Sequence, residues 1–274
     1  MRVFWCLVFL AVPILAVLSC IYAEDYGLWF PGEAETLLGK QIDDLFYMIN
    51  IIVTVTFIGS NAGLCYVIWR ASGKQEEGGK AWFCHGVHSL EVIWSIVPAC
   101  ILMFISLYQL DVWMQFRVRT NYPTEAAAKP VAEVTARQFE WRIRYPAPGK
   151  DLQLQPQPDD LYTVNDLHVP VNQPVMIQLR TIDVQHSFFV PDLRVKQDAI
   201  PGQVIPIWFN VLHNGEYDLT CAELCGWGHY KMRGRVVAEP VEDFQAYLVK
   251  LQAEQSYDGV ANEDSPELAQ SGEE

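Results

Sequence analysis

A chain of 274 residues has room for one or two domains, and a hydrophobic share of 51% implies that part of it lies in lipid. Acids outnumber bases 33 to 19, a formal charge of −14, which repels nucleic acid and can attract a basic protein partner. The seven cysteines do not read as a disulfide framework: Cys6, Cys20, Cys65, Cys84 and Cys100 lie in or beside apolar segments, leaving only the close pair Cys221 and Cys225.

Residues 1–23, MRVFWCLVFLAVPILAVLSCIYA, carry one Arg, a long apolar run and then small residues, the pattern of a signal peptide. Cleavage is expected after Ala23; the alternatives are cleavage before Cys20 with lipidation of that cysteine, or retention as a membrane anchor. Residues 24–44 are acidic. From Leu45 to Trp69 no charged residue occurs, and ~20 apolar residues suffice to cross a bilayer. A second such stretch runs from about Leu90 to Trp113, interrupted only by Glu91 and Asp111. Arg70, Lys74 and Lys80 between them place the connecting loop in the cytoplasm. Residues 24–115 are thus expected to form a transmembrane helical hairpin, with spans at about 45–69 and 90–113 and the C-terminal domain on the outer side.

Beyond Trp113 the pattern turns from helical to alternating. FEWRIRY puts Phe139, Trp141, Ile143 and Tyr145 on one face and Glu140, Arg142 and Arg144 on the other, as in a half-buried strand. A loop, PAPGKDLQLQPQPDD, follows. Further short strands are expected in PVMIQLRT, VIPIWFNV, EYDLTC and GRVVAEP, so residues 120–252 predict an all-β sandwich or barrel. Phe244, Leu248 and Leu251 suggest a brief amphipathic helix. Residues 253–274 are expected to be an acidic, disordered tail, since the last 21 residues hold seven acids and no Lys or Arg.

CAELCGWGHYKM, residues 221–232, spaces Cys221, Cys225, His229 and Met232 within one turn-rich stretch. Thiolate, imidazole and thioether together favour copper over hard ions. A structural zinc site has no use for Met, and a mononuclear blue-copper site needs one Cys rather than two. Two thiolates can bridge a pair of coppers with one His terminal on each, which requires a second histidine. His85 and His88 fall on the cytoplasmic side. His186, in DVQHSFFVP after a strand and before a turn, is the candidate; His168 and His213 read as ordinary surface or core residues.

The helical hairpin, EVIWSIVP, ARQFEW, TVNDLHVPVNQPV, DVQHSFFVPDLRVKQDAIPG and the cysteine loop together resemble subunit II of the haem–copper cytochrome c oxidases over about residues 40–250. The resemblance implies a cupredoxin β-barrel behind the hairpin and a binuclear copper centre, CuA, held by His186, Cys221, Cys225, His229 and Met232. It implies that Glu223 gives its backbone carbonyl to one copper and extends its side chain toward a Mg²⁺ shared with subunit I. Electrons would enter from cytochrome c near Phe139 and Trp141 and pass to haem in subunit I, where oxygen is reduced with proton translocation. The implied location is the inner (plasma) membrane of a bacterium, with the copper domain periplasmic and other oxidase subunits as partners.

Glu91 has two readings: an acid at a helix end reaching the interface, or, by the likeness of EVIW to the family, the entrance of a proton channel through subunit I. Phe139 departs from the family, many of whose members have Trp there, and so lacks an indole N–H. No C-x-x-C-H haem motif occurs, so the donor is expected to be a separate protein. Among the acids that could steer a basic donor, Asp151, Asp159, Asp160, Asp183 and Asp192, Asp183 stands nearest the copper ligands. A quinol oxidase subunit II would lack the copper ligands, and a free-standing copper chaperone or a nitrous oxide reductase copper domain would not need the two spans or Glu91.

Overall fold

The apolar runs fold as helices, the one open arrangement that pairs every backbone N–H and C=O within its own segment. α1 spans Arg2–Ala23, α2 Leu37–Glu76 and α3 His88–Tyr108, in a computed structural model that describes residues 2–26, 28, 32–76 and 85–257. All three are long and apolar enough to cross a membrane. The expected first span lies inside α2; the second covers α3 and the start of α4, Leu110–Arg117. No residue of α3 is buried, and Ile93, Trp94, Leu102 and Phe104 are exposed around it, as for a helix whose solvent is lipid or another subunit. Lys80 and Cys84 lie outside the described residues, as does the acidic tail beyond Tyr257.

The chain divides into two compact units, Met1–Gly32 with Asp43–Asp111, and Glu33–Ile42 with Val112–Glu274. In the second unit, after the short helix α5, Thr124–Ala128, come β1 Ala132–Arg137, β2 Glu140–Tyr145, β3 Leu161–Val164, β4 Asp166–Pro170 and β5 Val175–Thr181. They are followed by β6 His186–Val190, β7 Val195–Ala199, β8 Ile205–Phe209, β9 Gly215–Cys221 and β10 Arg233–Glu239. One sheet has the order β3-β2-β1-β5-β8 and the other β4-β10-β9-β6-β7. Each mixes antiparallel pairs with one parallel pair, β1 with β5 and β4 with β10. The inner faces share one core, with Val134, Trp141, Ile143, Leu167, Phe188, Leu219 and Val236 fully buried. This is a cupredoxin-like sandwich. The four strands expected in PVMIQLRT, VIPIWFNV, EYDLTC and GRVVAEP appear as β5, β8, β9 and β10.

Three local readings change. His186 does not follow a strand but opens β6, pairing with Ala199. Arg144 does not face solvent: it is buried between Glu133 (3.0 Å) and Asp160 (2.6 Å) and donates to the Gln153 carbonyl. The Pro- and Gln-rich loop therefore covers that face of the sheet, and a buried guanidinium is tolerated because both its partners are anions. The C-terminal helix α6, Val241–Tyr257, is also longer than expected. It runs past the anticipated start of the tail at 253, its Phe244, Tyr247, Leu248 and Leu251 packing on the core.

Candidate metal centre

Four strand ends converge at one end of the sandwich. β6 begins with His186, β9 ends with Cys221, β10 begins just after Met232, and the β1–β2 hairpin turns at Gln138 and Phe139. The loop from Cys221 to Met232 leaves one strand and returns beside it, with the Cys221 N–H donating to the Met232 carbonyl at 3.2 Å.

The two cysteine sulfurs lie 3.9 Å apart. His186 Nδ1 stands 3.9 Å from Cys221 Sγ and 3.2 Å from Met232 Sδ, while His229 Nδ1 is 3.7 Å from Cys225 Sγ. Met232 Sδ is 3.8 Å from Cys225 Sγ, and the Glu223 carbonyl 3.2 Å from Cys221 Sγ. The structure thus brings together all six residues expected as ligands. Among the described residues, His186, Cys221 and Cys225 form a group whose donor atoms lie within 4.8 Å of one another, and His229 stands outside it. One imidazole thus stands beside each sulfur, His186 by Cys221 and His229 by Cys225. His186, Cys221, Cys225 and Met232 are buried.

Burial works against ionising either thiol. At Cys221 the hydrogen bonds of His186 and of the Ser187 and Glu223 backbone outweigh it, and the thiol is lowered to about 6. At Cys225 burial and the charge of Cys221 push it up to about 12. The pair therefore ionises in sequence, Cys221 first.

Phe139 and Trp141 part company. The half-buried Phe139 ring lies over Gly226 and Gly228, where a Cβ would run into it. Gly226 also has φ +138, a conformation that L side chains rarely adopt. Trp141 is fully buried, edge-on to His186 with ring centroids 6.3 Å apart, and among the described residues its Nε1 has no hydrogen-bond partner. It cannot present a surface to a donor. Trp227, which the sequence did not single out, is 79% exposed and meets Phe139 edge-on at 5.1 Å. Leu224 and Tyr230 are exposed with it. They interleave with the ligands in the loop, and that alternation was the available signal.

Asp183 is partly exposed and engaged at both carboxylate oxygens. Its Oδ1 accepts from His186 Nε2 at 2.8 Å and its Oδ2 from the Gln138 N–H at 2.7 Å. Burial raises its carboxyl, but these hydrogen bonds outweigh burial and hold it below the usual range. His168 lies elsewhere, between Glu239 (2.9 Å) and Asp166 (3.4 Å), stacked on Tyr247. His213 pairs with Glu35 at the surface. Glu91 sits in the first turn of α3, where the helix dipole favours an acid.

Residues 141–241 match the family model for the cytochrome c oxidase subunit II periplasmic domain, and residues 23–112 match that for its transmembrane domain. The chain is 30% identical over 258 residues to the alternative cytochrome c oxidase subunit 2 of Bradyrhizobium diazoefficiens, covering 86% of this chain and 89% of that one. The chain belongs to the cytochrome c oxidase subunit II family. It is also 30% identical to cytochrome c oxidase subunit 2 of Cereibacter sphaeroides, over 81% of this chain and 79% of that protein. A crystal structure of the periplasmic domain of subunit II of the Bradyrhizobium japonicum cytochrome oxidase is 26% identical, covers 45% of this chain and 93% of that one, and has a TM-score of 0.39. As a subunit II, the chain is a membrane-spanning component of a haem–copper oxidase.

Proposed function

We propose that this subunit receives electrons from cytochrome c, or a similar separate donor, at a binuclear copper centre and passes them to haem in subunit I. The observation that carries the reading is the donor set: two thiols 3.9 Å apart with an imidazole beside each, a thioether and a backbone carbonyl. Such soft donors suit copper, and the second cysteine excludes a mononuclear blue-copper arrangement. When bound, a copper pair supplies one-electron exchange with its charge spread over both metals.

The protein's part is to keep the site still. Cys221, Cys225, His186, His229, Met232 and the Glu223 carbonyl are the groups that would hold the copper pair. Sheet ends fix His186, Cys221 and Met232, so little has to move when charge changes. The exposed Trp227 ring and the Phe139 ring beneath it form the apolar surface where the donor docks. The Glu223 carboxylate is left to reach a Mg²⁺ at the border with subunit I. Glu91, on the cytoplasmic side, marks the entrance of a proton channel through subunit I. Removal of residues 1–23 fits the transmembrane family model, which begins at residue 23. The complex is placed in the plasma membrane of a bacterium, with the copper domain in the periplasm.

The test is the isolated complex: copper and haem quantification together with its optical spectrum. We expect a pair of coppers per subunit II and a purple mixed-valence absorption. A single copper per chain, or zinc filling the site after copper loading, would sink the reading.

A further inference from the structure

The β1–β2 hairpin tip reaches both ends of the metal site. On one side, the Gln138 backbone N–H donates to Asp183 Oδ2 at 2.7 Å, and Asp183 Oδ1 accepts from His186 Nε2 at 2.8 Å. The same Oδ1 accepts from the Val184 N–H at 2.6 Å and the Thr181 hydroxyl at 3.2 Å, which fixes the carboxylate's orientation. On the other side, the Gln138 side-chain amide donates to the Cys225 carbonyl. His186 is fully buried and its Nδ1 faces sulfur, so the carboxylate on Nε2 decides which nitrogen carries the proton.

We propose that Gln138 and Asp183 are positioning residues, a clasp that sets His186 and Cys225 from one hairpin tip and ties Phe139 to both. The inference rests on the copper reading above. Asp183 holds His186 with Nε2 protonated and Nδ1 open, the tautomer a metal needs, and makes the imidazole a more basic ligand. Gln138 holds the Cys225 backbone at the start of the Gly226–Gly228 turn, on which the Phe139 ring lies. A shift of the tip would therefore disturb both ligands and the aromatic surface together.

The experiment compares Asp183→Asn and Gln138→Ala with the parent in the purified oxidase complex. Asparagine keeps an oxygen for His186 but turns an NH₂ toward the Gln138 N–H, donor against donor, and removes the charge. Gln138 is exposed, so its truncation spares the core. The readouts are copper retained against a chelator such as bicinchoninate, the mixed-valence absorption and the reduction potential. We expect Asp183→Asn to lose copper about 10–100-fold more readily and to shift the potential positive, because the imidazole loses its anionic partner. Gln138→Ala should move the absorption band with a smaller loss of copper. Retention, band and potential all equal to the parent in both variants, even at a lowered melting temperature, would overturn the clasp. A parent complex with no copper pair would instead overturn the copper reading itself.

Discussion

The membrane helices and the β-sandwich are both rich in large apolar side chains, but they use them in opposite ways. α3 buries none of its residues, whereas the sandwich encloses Trp141, Phe188 and Leu219 completely. The sandwich is held by its own core. The helices expose apolar surface that only lipid or neighbouring subunits can cover. The lesson is a division of labour: residues that must stay rigid around a metal lie in the self-supporting unit, and residues that deal with the membrane lie in the other.

That division predicts separable losses. The largest effect is expected for Cys221→Ser, which removes one of the two sulfurs of the proposed copper pair: the binuclear absorption should disappear while the subunit still assembles in the membrane with its partners. Metal analysis and co-purification of the haem-bearing subunit check this, and failure to assemble would mean that the two units are not independent. Met232→Leu should be milder, leaving a copper site with altered potential, since a thioether is a weak ligand.

Glu91→Ala probes the membrane side. Steady-state turnover should fall about tenfold, an added barrier of about 1.4 kcal/mol, with donor-to-copper electron transfer unchanged in stopped flow. Equal loss of both rates would break the separation, and unchanged turnover would remove the proton role.

The smallest effect concerns the far side of the sandwich. Burial opposes protonation of His168, but its hydrogen bonds to Asp166 and Glu239 outweigh burial and raise its pKa above the ordinary 6.5. Protonated His168 therefore contributes stability that is fully present below pH 6.5 and is lost as pH rises through the raised value. Asp166, lowered from 3.8 to about 2, changes nothing in that window, because its contribution is present above pH 3.8 and is lost as pH falls from there through about 2. The sandwich should melt at a lower temperature at pH 8 than at pH 6. His168→Gln should flatten that slope and cost on the order of a few °C, the effect of about 1 kcal/mol from one lost hydrogen bond. Calorimetry of the purified protein across pH reads it, and the copper spectrum should not move.

The sequence by itself determined the helices, the all-β domain and the ligand loop. Long uncharged runs have one stable form in lipid, and Cys221, Cys225, His229 and Met232 are close enough along the chain to be read as one donor set. FEWRIRY marked the β2 strand, but its alternation could not show that Arg144 turns into a buried ion cluster, because Glu133 and Asp160 come from other segments. Only the tertiary structure decided the partners of separated residues. Asp183, apparently a free acid three residues before His186, is bound by His186 and by the Gln138 backbone, 45 residues away in sequence. Trp141 and Trp227 have the same side chain, yet one is fully buried and the other 79% exposed. Burial and hydrogen-bond partnership depend on which strand ends meet, and that is fixed by sheet pairing across long sequence separations, which no local pattern encodes.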